Sequence, residues 1–237
     1  MASCSPAAVD WAGFKNTIVT AAAAIGAAVD DARSEQFAVH ARLLIDWNRR
    51  INLTAIADPL EMALKHYVDS IAPSALIPST ARLLDIGSGA GFPGIPLKIM
   101  RPAISLTMID ARRKKVSFLK TAIRQLQLEQ SVARHIRAQE MTGPQGGGGR
   151  FDVIVARAFT DLVRFVQTAV PLLNRGGVLL YYAGRRPAAS ELAAVARVMG
   201  RQAEPPRWRY EIMPYALPQM ERKRHVVAVR PYLMYRN

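Results

Sequence analysis

The spacing of apolar positions changes near residue 82. Before it, apolar residues recur at helical intervals. In residues 35–50, Phe37, Val39, Leu43, Leu44 and Trp47 form a stripe along one helix. A second helix begins at Asp58-Pro59-Leu60-Glu61, with Asp58 as N-cap, Pro59 at the first helical position and Glu61 reaching back as in a capping box. Met62, Leu64, Tyr67 and Val68 carry it towards Pro73.

After residue 82 the apolar residues gather into short runs at 83–86, 106–109, 132–136, 151–156 and 178–182. Amphipathic stretches at 95–100, 114–128 and 162–173 fit helices between them, a further helix fits 188–198, and a last strand pair fits 208–213 and 226–230. Alternating strands and helices predict an α/β, Rossmann-like parallel sheet with helices on both faces and a helical N-terminal extension. The expected division is residues 1–80 for the extension and 81–237 for the sheet domain. The glycine run 146–149 reads as a surface loop.

Composition adds an ordinary core and an uneven charge. Half of the 237 residues are hydrophobic and the formal net charge is +14. Residues 1–80 hold 6 basic and 8 acidic side chains, whereas residues 81–237 hold 26 and 10. That asymmetry points to a polyanion, nucleic acid before an acidic membrane. Arginine outnumbers lysine 25 to 7, a bias that genome composition alone produces. The longest uncharged apolar stretch near the start, residues 16–29, is 14 residues long, short of the roughly 20 of a membrane helix. The single cysteine, Cys4, excludes intrachain disulfides and cysteine-rich zinc sites. A cytoplasmic protein without membrane or metal partners is expected.

Candidate chemistry concentrates in Asp85-Ile86-Gly87-Ser88-Gly89-Ala90-Gly91-Phe92-Pro93-Gly94. Its glycines let the chain turn off a strand and a ligand approach the backbone, and Pro93 suits the first turn of the next helix. Gly89, Gly91 and Gly94 fit the dinucleotide pattern GxGxxG, with Asp110 about 20 residues on. The acidic strand end at Asp85 and the Gly87-x-Gly89-x-Gly91 alternation instead suit an S-adenosylmethionine loop. In either ligand class the Asp110 carboxylate can accept hydrogen bonds from ribose hydroxyls.

Two methylation chemistries lack their devices. Activating a pyrimidine carbon needs a cysteine nucleophile, and Cys4 stands far from any strand end. The Pro-Pro element typical of adenine-amine methylation is replaced after the fourth strand by Arg157-Ala158-Phe159, and the only Pro-Pro is at 205–206. Guanine N7 carries a lone pair and no proton, so no general base is required.

Several segments together resemble the bacterial small-subunit ribosomal RNA methyltransferase G family, also called glucose-inhibited division protein B. They are Trp47-Asn48-x-x-x-Asn52-Leu53-Thr54, His66-x-x-Asp69-Ser70, the stretch from Asp85 to Leu97, Phe118-Leu119 and Arg157-Ala158-Phe159. The resemblance implies a class I methyltransferase that carries a methyl group from S-adenosylmethionine to N7 of a guanine in 16S rRNA. It places cofactor contacts on Gly87, Phe92, Asp110, Ala111, Arg112, Ala138, Gln139 and Arg157, beside Asp85, Gly89 and Gly91 of the loop itself. Asn48, Asn52 and Thr54 read either as caps of a tight turn or as the acceptor wall. Arg113, Lys114 and Lys115 read as phosphate contacts or as a solvated face. The family commonly has Lys before the glycine matching Gly184; here Ala183 stands there, and Arg185 and Arg186 follow as replacements for an RNA contact. Gln139 stands where an acidic residue is common. His66 reads as structural. A monomer is expected. The alternatives are a dinucleotide oxidoreductase of the NAD type, a small-molecule methyltransferase and a non-catalytic RNA-binding module.

Overall fold

Four aspartates open helices in the computed structural model, each accepting a backbone N–H three residues on. Asp10 caps α1 (Trp11–Ala24), Asp30 caps α2 (Asp31–Asn48), Asp58 caps α3 (Pro59–Met62) and Asp161 caps α7 (Leu162–Ala169). The structure describes residues 9–142, 149–200 and 207–232; Cys4, glycines 146–148 and the prolines at 205–206 lie outside the described residues. The capping box expected at Asp58 is half made. Asp58 accepts from Glu61 N at 2.7 Å, but the Glu61 carboxylate pairs with Lys65. Beyond α3 the helix widens into a π turn, Ala63–Val68, before α4 (Asp69–Ile71).

The seven strands are β1 (Arg82–Ile86), β2 (Ser105–Asp110), β3 (Ser131–His135), β4 (Phe151–Arg157), β5 (Leu173–Ala183), β6 (Arg207–Tyr215) and β7 (Arg224–Tyr232). They form one sheet in the order β3-β2-β1-β4-β5-β7-β6. The first five run parallel, and β7 is antiparallel to both β5 and β6. The connecting helices are α5 (Gly94–Met100), α6 (Arg113–Gln125), α7 and α8 (Ala189–Gly200). Between β3 and β4 there is a 3-10 turn, Ala138–Thr142. Among the boundaries that differ from the sequence expectation, two have a local cause. The helix expected over 162–173 ends at Ala169, because Pro171 admits only a 3-10 turn after it. The strand expected from residue 178 starts at Leu173, passing Gly176 at φ +81° where the pairing with β4 shifts register.

Side-chain alternation divides the core. Leu83 of β1, with Met108, Val153, Val155 and Leu180, faces a layer holding Phe14, Ile18, Phe37, Leu44 and Tyr67. Leu84 and Ile86 face the other way, onto Phe165, Val166 and Val195. The N-terminal helices thus cover one sheet face and share its apolar cluster. No helix among the described residues is long and apolar enough to cross a membrane.

One buried polar group ties that helical layer to the sheet. Asp69, 1 % exposed, accepts from Arg157 Nη1 at 3.2 Å, Arg224 Nη1 at 3.0 Å and the Tyr215 hydroxyl at 2.6 Å. Next to it, the Ser70 carbonyl accepts from the Tyr182 hydroxyl at 2.6 Å. A buried charge is tolerated when it is paired and hydrogen-bonded on all sides. Asp69→Ala leaves two arginines facing a cavity, so chemical denaturation should show a loss of about 3–5 kcal/mol. Asp69→Asn, which keeps the shape, should lose less.

Candidate functional site

The glycine loop leaves the carboxyl end of β1 with Gly87, Gly89 and Gly91 at φ +72°, +58° and +87°. A Cβ on Gly91 would lie 2.4 Å from the Ile95 side chain, so only glycine fits there. Behind the loop, fully buried Asp85 accepts from Gly94 N at 2.9 Å and thereby caps α5 from a distance. The sequence reading put Pro93 in the first helical turn; α5 instead begins at Gly94, with Pro93 just before it. The second Asp85 oxygen, Oδ1, is buried without a partner. Burial, only partly opposed by the Gly94 hydrogen bond, pushes the Asp85 carboxyl up to about 7.

Asp110 closes β2 beside this loop, 7 % exposed, and its two oxygens are set by Gly89 N at 3.1 Å and Arg112 N at 2.8 Å. It lines a cavity of about 560 Å³ at the carboxyl edge of the sheet. Gly87, Ala111, Arg112, Ala138 and Gln139, the residues expected to touch a cofactor, line the same cavity. Lys115, read from sequence as either a phosphate contact or part of a solvated face, also lines it. Asp85, Gly89, Gly91, Phe92 and Arg157 do not. The first three shape the loop, and Phe92 is buried beneath it. Phe159, Thr160 and Arg164 line the cavity without having been singled out. Phe159 was visible in the Arg157-Ala158-Phe159 segment, but nothing in the sequence showed its ring lying 3.6 Å from where a Gly87 Cβ would be.

Ala158 explains how that segment is divided. Its φ of +54°, in the left-handed region that non-glycine residues rarely adopt, turns the chain between Arg157 and Phe159. Phe159 goes to the cavity, whereas Arg157 goes to the helical layer. There its Nη1 donates to Lys65 O at 3.1 Å and to Asp69, and its Nη2 lies 3.1 Å from His66 Nδ1. The guanidinium also lies 5.0 Å over the Phe92 ring, on which His66 stacks at 4.5 Å. Burial, reinforced by Arg157, lowers His66 to about 3, so its ring is neutral. Fully buried His40 is likewise held down to about 3, by burial.

His66 Nε2 lies 2.8 Å from Thr54 Oγ1. The Thr54 loop is held by Asn48, whose Oδ1 accepts from Leu53 N and Thr54 N and whose Nδ2 donates to Thr54 O. Asn48 is thus a cap, Thr54 is half-buried against His66, and Asn52 is exposed. Arg113 and Lys114 are exposed at the start of α6. Arg185 and Arg186 are exposed after β5, with Arg185 paired to Glu191 at 2.7 Å.

The family model described as GidB, rRNA small subunit methyltransferase G, matches residues 33–206. The ribosomal RNA small subunit methyltransferase G of Geobacter sp. (strain M21) is 42% identical over 174 residues, 73% of this chain and 79% of that protein. The protein of the same name from Leptothrix cholodnii is 33% identical over 222 residues, 92% of this chain and 95% of that one. Among solved structures, P. horikoshii TYW2 in complex with MeSAdo aligns with TM-score 0.54 and 13% identity over 70% of this chain and 62% of that one. The ribosomal protein L11 methylase of Lactobacillus delbrueckii subsp. bulgaricus aligns with TM-score 0.51 and 12% identity over 70% of this chain and 78% of the other. These two likenesses concern the fold.

The buried titrating groups oppose one another. His40 and His66 sit below the ordinary 6.5, so acid protonates the unfolded chain first, and stability is lost as pH falls below about 6.5. Asp85 sits above its ordinary range, so the folded chain gains a proton between roughly pH 7 and 4, which favours the fold on acidification. From pH 7 to 5 each histidine should cost about 2 kcal/mol and Asp85 should offset about 2. Asp85→Asn removes the offset, so its stability in urea should fall about twice as far as the parent's over that interval. Parallel pH profiles for the two proteins would place the Asp85 proton elsewhere.

Proposed function

The chain belongs to the rRNA small subunit methyltransferase G family, and on that footing we propose that it transfers the methyl group of S-adenosylmethionine to N7 of a guanine in 16S rRNA. The observation that carries the assignment of its parts is the Asp110 carboxylate, oriented by Gly89 and Arg112 N–H groups at the wall of a cavity of about 560 Å³. That volume suits a nucleoside-sized ligand. A fixed carboxylate acceptor suits a ribose diol. Ile86, Ile109 and Ile136 supply apolar lining suited to an adenine ring, and Ala138 and Gln139 in the same lining carry main-chain groups able to pair with its polar edge.

The bound cofactor supplies a sulfonium-activated methyl group. Guanine N7 contributes its lone pair to the new N–C bond as the S–C bond breaks, and no proton moves in that step. The protein therefore has to align the base and keep water out, rather than withdraw a proton. Neutral His66 and the arginine beside it are consistent with this requirement. The N-terminal helical layer supplies the acceptor wall through Thr54 and His66. Arg113, Lys114, Arg185 and Arg186 leave strands at the carboxyl edge and are exposed, as phosphate contacts must be. The catalytic unit is a monomer.

Asp110→Ala should weaken S-adenosylmethionine binding by about 1–3 kcal/mol in calorimetric titration, with the fold retained. Mass-spectrometric mapping of small-subunit rRNA after incubation should find the new methyl group on guanine N7. Affinity for the RNA should fall steeply with salt, and replacing Arg113 and Lys114 by Ala should flatten that slope by about one to two counterions.

A further inference from the structure

Arg157 has only hydrogens to give, and this fixes the polarity of the groups beyond it. Its Nη2 lies 3.1 Å from His66 Nδ1, so Nδ1 accepts. A neutral ring that accepts at Nδ1 carries its proton on Nε2. That proton is then donated to Thr54 Oγ1 at 2.8 Å. Thr54 Oγ1 also accepts from Ile56 N at 3.0 Å. Both lone pairs of the hydroxyl are thereby used, and its own hydrogen has no acceptor among the described residues. A threonine that elsewhere both gives and takes is here restricted to giving.

The hydroxyl is also held in place. Asn48 grips the backbone on both sides of Thr54, and the His66 ring that supports it is stacked on Phe92 of the glycine loop. Thr54 is half-buried, so the residue stays partly accessible at the surface. Its position is the interface between the helical layer and the carboxyl edge of β1 and β4.

We propose that Thr54 is a specificity-determining residue whose hydroxyl donates a hydrogen bond to O6 of the target guanine. The proposal rests on the guanine N7 reading and deepens it. Guanine presents two neighbouring acceptors on that edge, N7 and O6, whereas adenine presents N7 beside an amino donor. A group that can only donate accepts O6 and opposes the amino group, so it separates the two purines without touching the reacting nitrogen. Aligning O6 also fixes the direction of the N7 lone pair.

The test uses small subunits assembled with 16S rRNA in which the guanine methylated by the parent enzyme is replaced by inosine, which keeps O6, or by 2-aminopurine, which lacks it. The parent should methylate guanine and inosine comparably and 2-aminopurine about 10- to 100-fold more slowly. Thr54→Val should slow the guanine and inosine reactions by about the same factor more than the 2-aminopurine reaction, so that the preference for O6 is lost, while Thr54→Ser should keep the parent's preference. Nitrogen-15 spectra of labelled histidine should show His66 protonated at Nε2. Equal losses on all three bases in Thr54→Val, no loss on any, or a His66 ring protonated at Nδ1 would each overturn the proposal. A parent enzyme that leaves guanine N7 unmethylated would instead remove the reading beneath it, and the proposal with it.

Discussion

A carboxylate taken out of water has to be answered by its surroundings, and Asp69 is answered by groups from three separate parts of the chain. Arg157 comes from the end of β4, Arg224 from the start of β7 and Tyr215 from the end of β6. Asp69 itself belongs to the helical layer. One charge therefore joins that layer to three strands and sets the direction of Arg157. Arg157 in turn sets the His66 tautomer, and His66 sets the Thr54 hydroxyl. Apolar burial holds the same two layers together, but it is tolerant of small displacements, whereas these hydrogen bonds are directional.

Much of the fold was legible because its signals are local. The five parallel strands appear as short apolar runs, and the loop after β1 appears as alternating glycines whose left-handed conformations the structure then displays. Asp110 was readable from its place at the end of β2. Arg157 was readable as a strand-end residue but not in its direction, because a single left-handed residue, Ala158, decides which neighbour enters the cavity. The partners of Asp69 lie 88, 146 and 155 residues away, and no local pattern announces them. The half-made capping box has a simpler reason: Lys65 stands one turn beyond Glu61 and takes its carboxylate.

The charge asymmetry also gains a geometry. Arg113 and Lys114 follow β2, and Arg185 and Arg186 follow β5. In the order β2-β1-β4-β5 these strands are three spacings apart, roughly 14 Å. The two basic pairs therefore flank the glycine loop on the same edge of the sheet. A polyanion lying across both pairs passes over the cavity, a placement that net charge alone does not specify.

The π turn at Ala63–Val68 bears on how the gene can change. There the Asp69 N–H reaches Leu64 O, five residues back, and the wider turn presents the Lys65 and His66 carbonyls to Arg157. Losing one residue from 59–71 would restore a regular helix but rotate one side against the other by about 100°. His66 and Asp69 could then no longer face Arg157 together. Point substitutions in this segment are graded in their effects, but its length is not, so in-frame deletions and insertions here should be far rarer among functional genes than in the loop that follows α2.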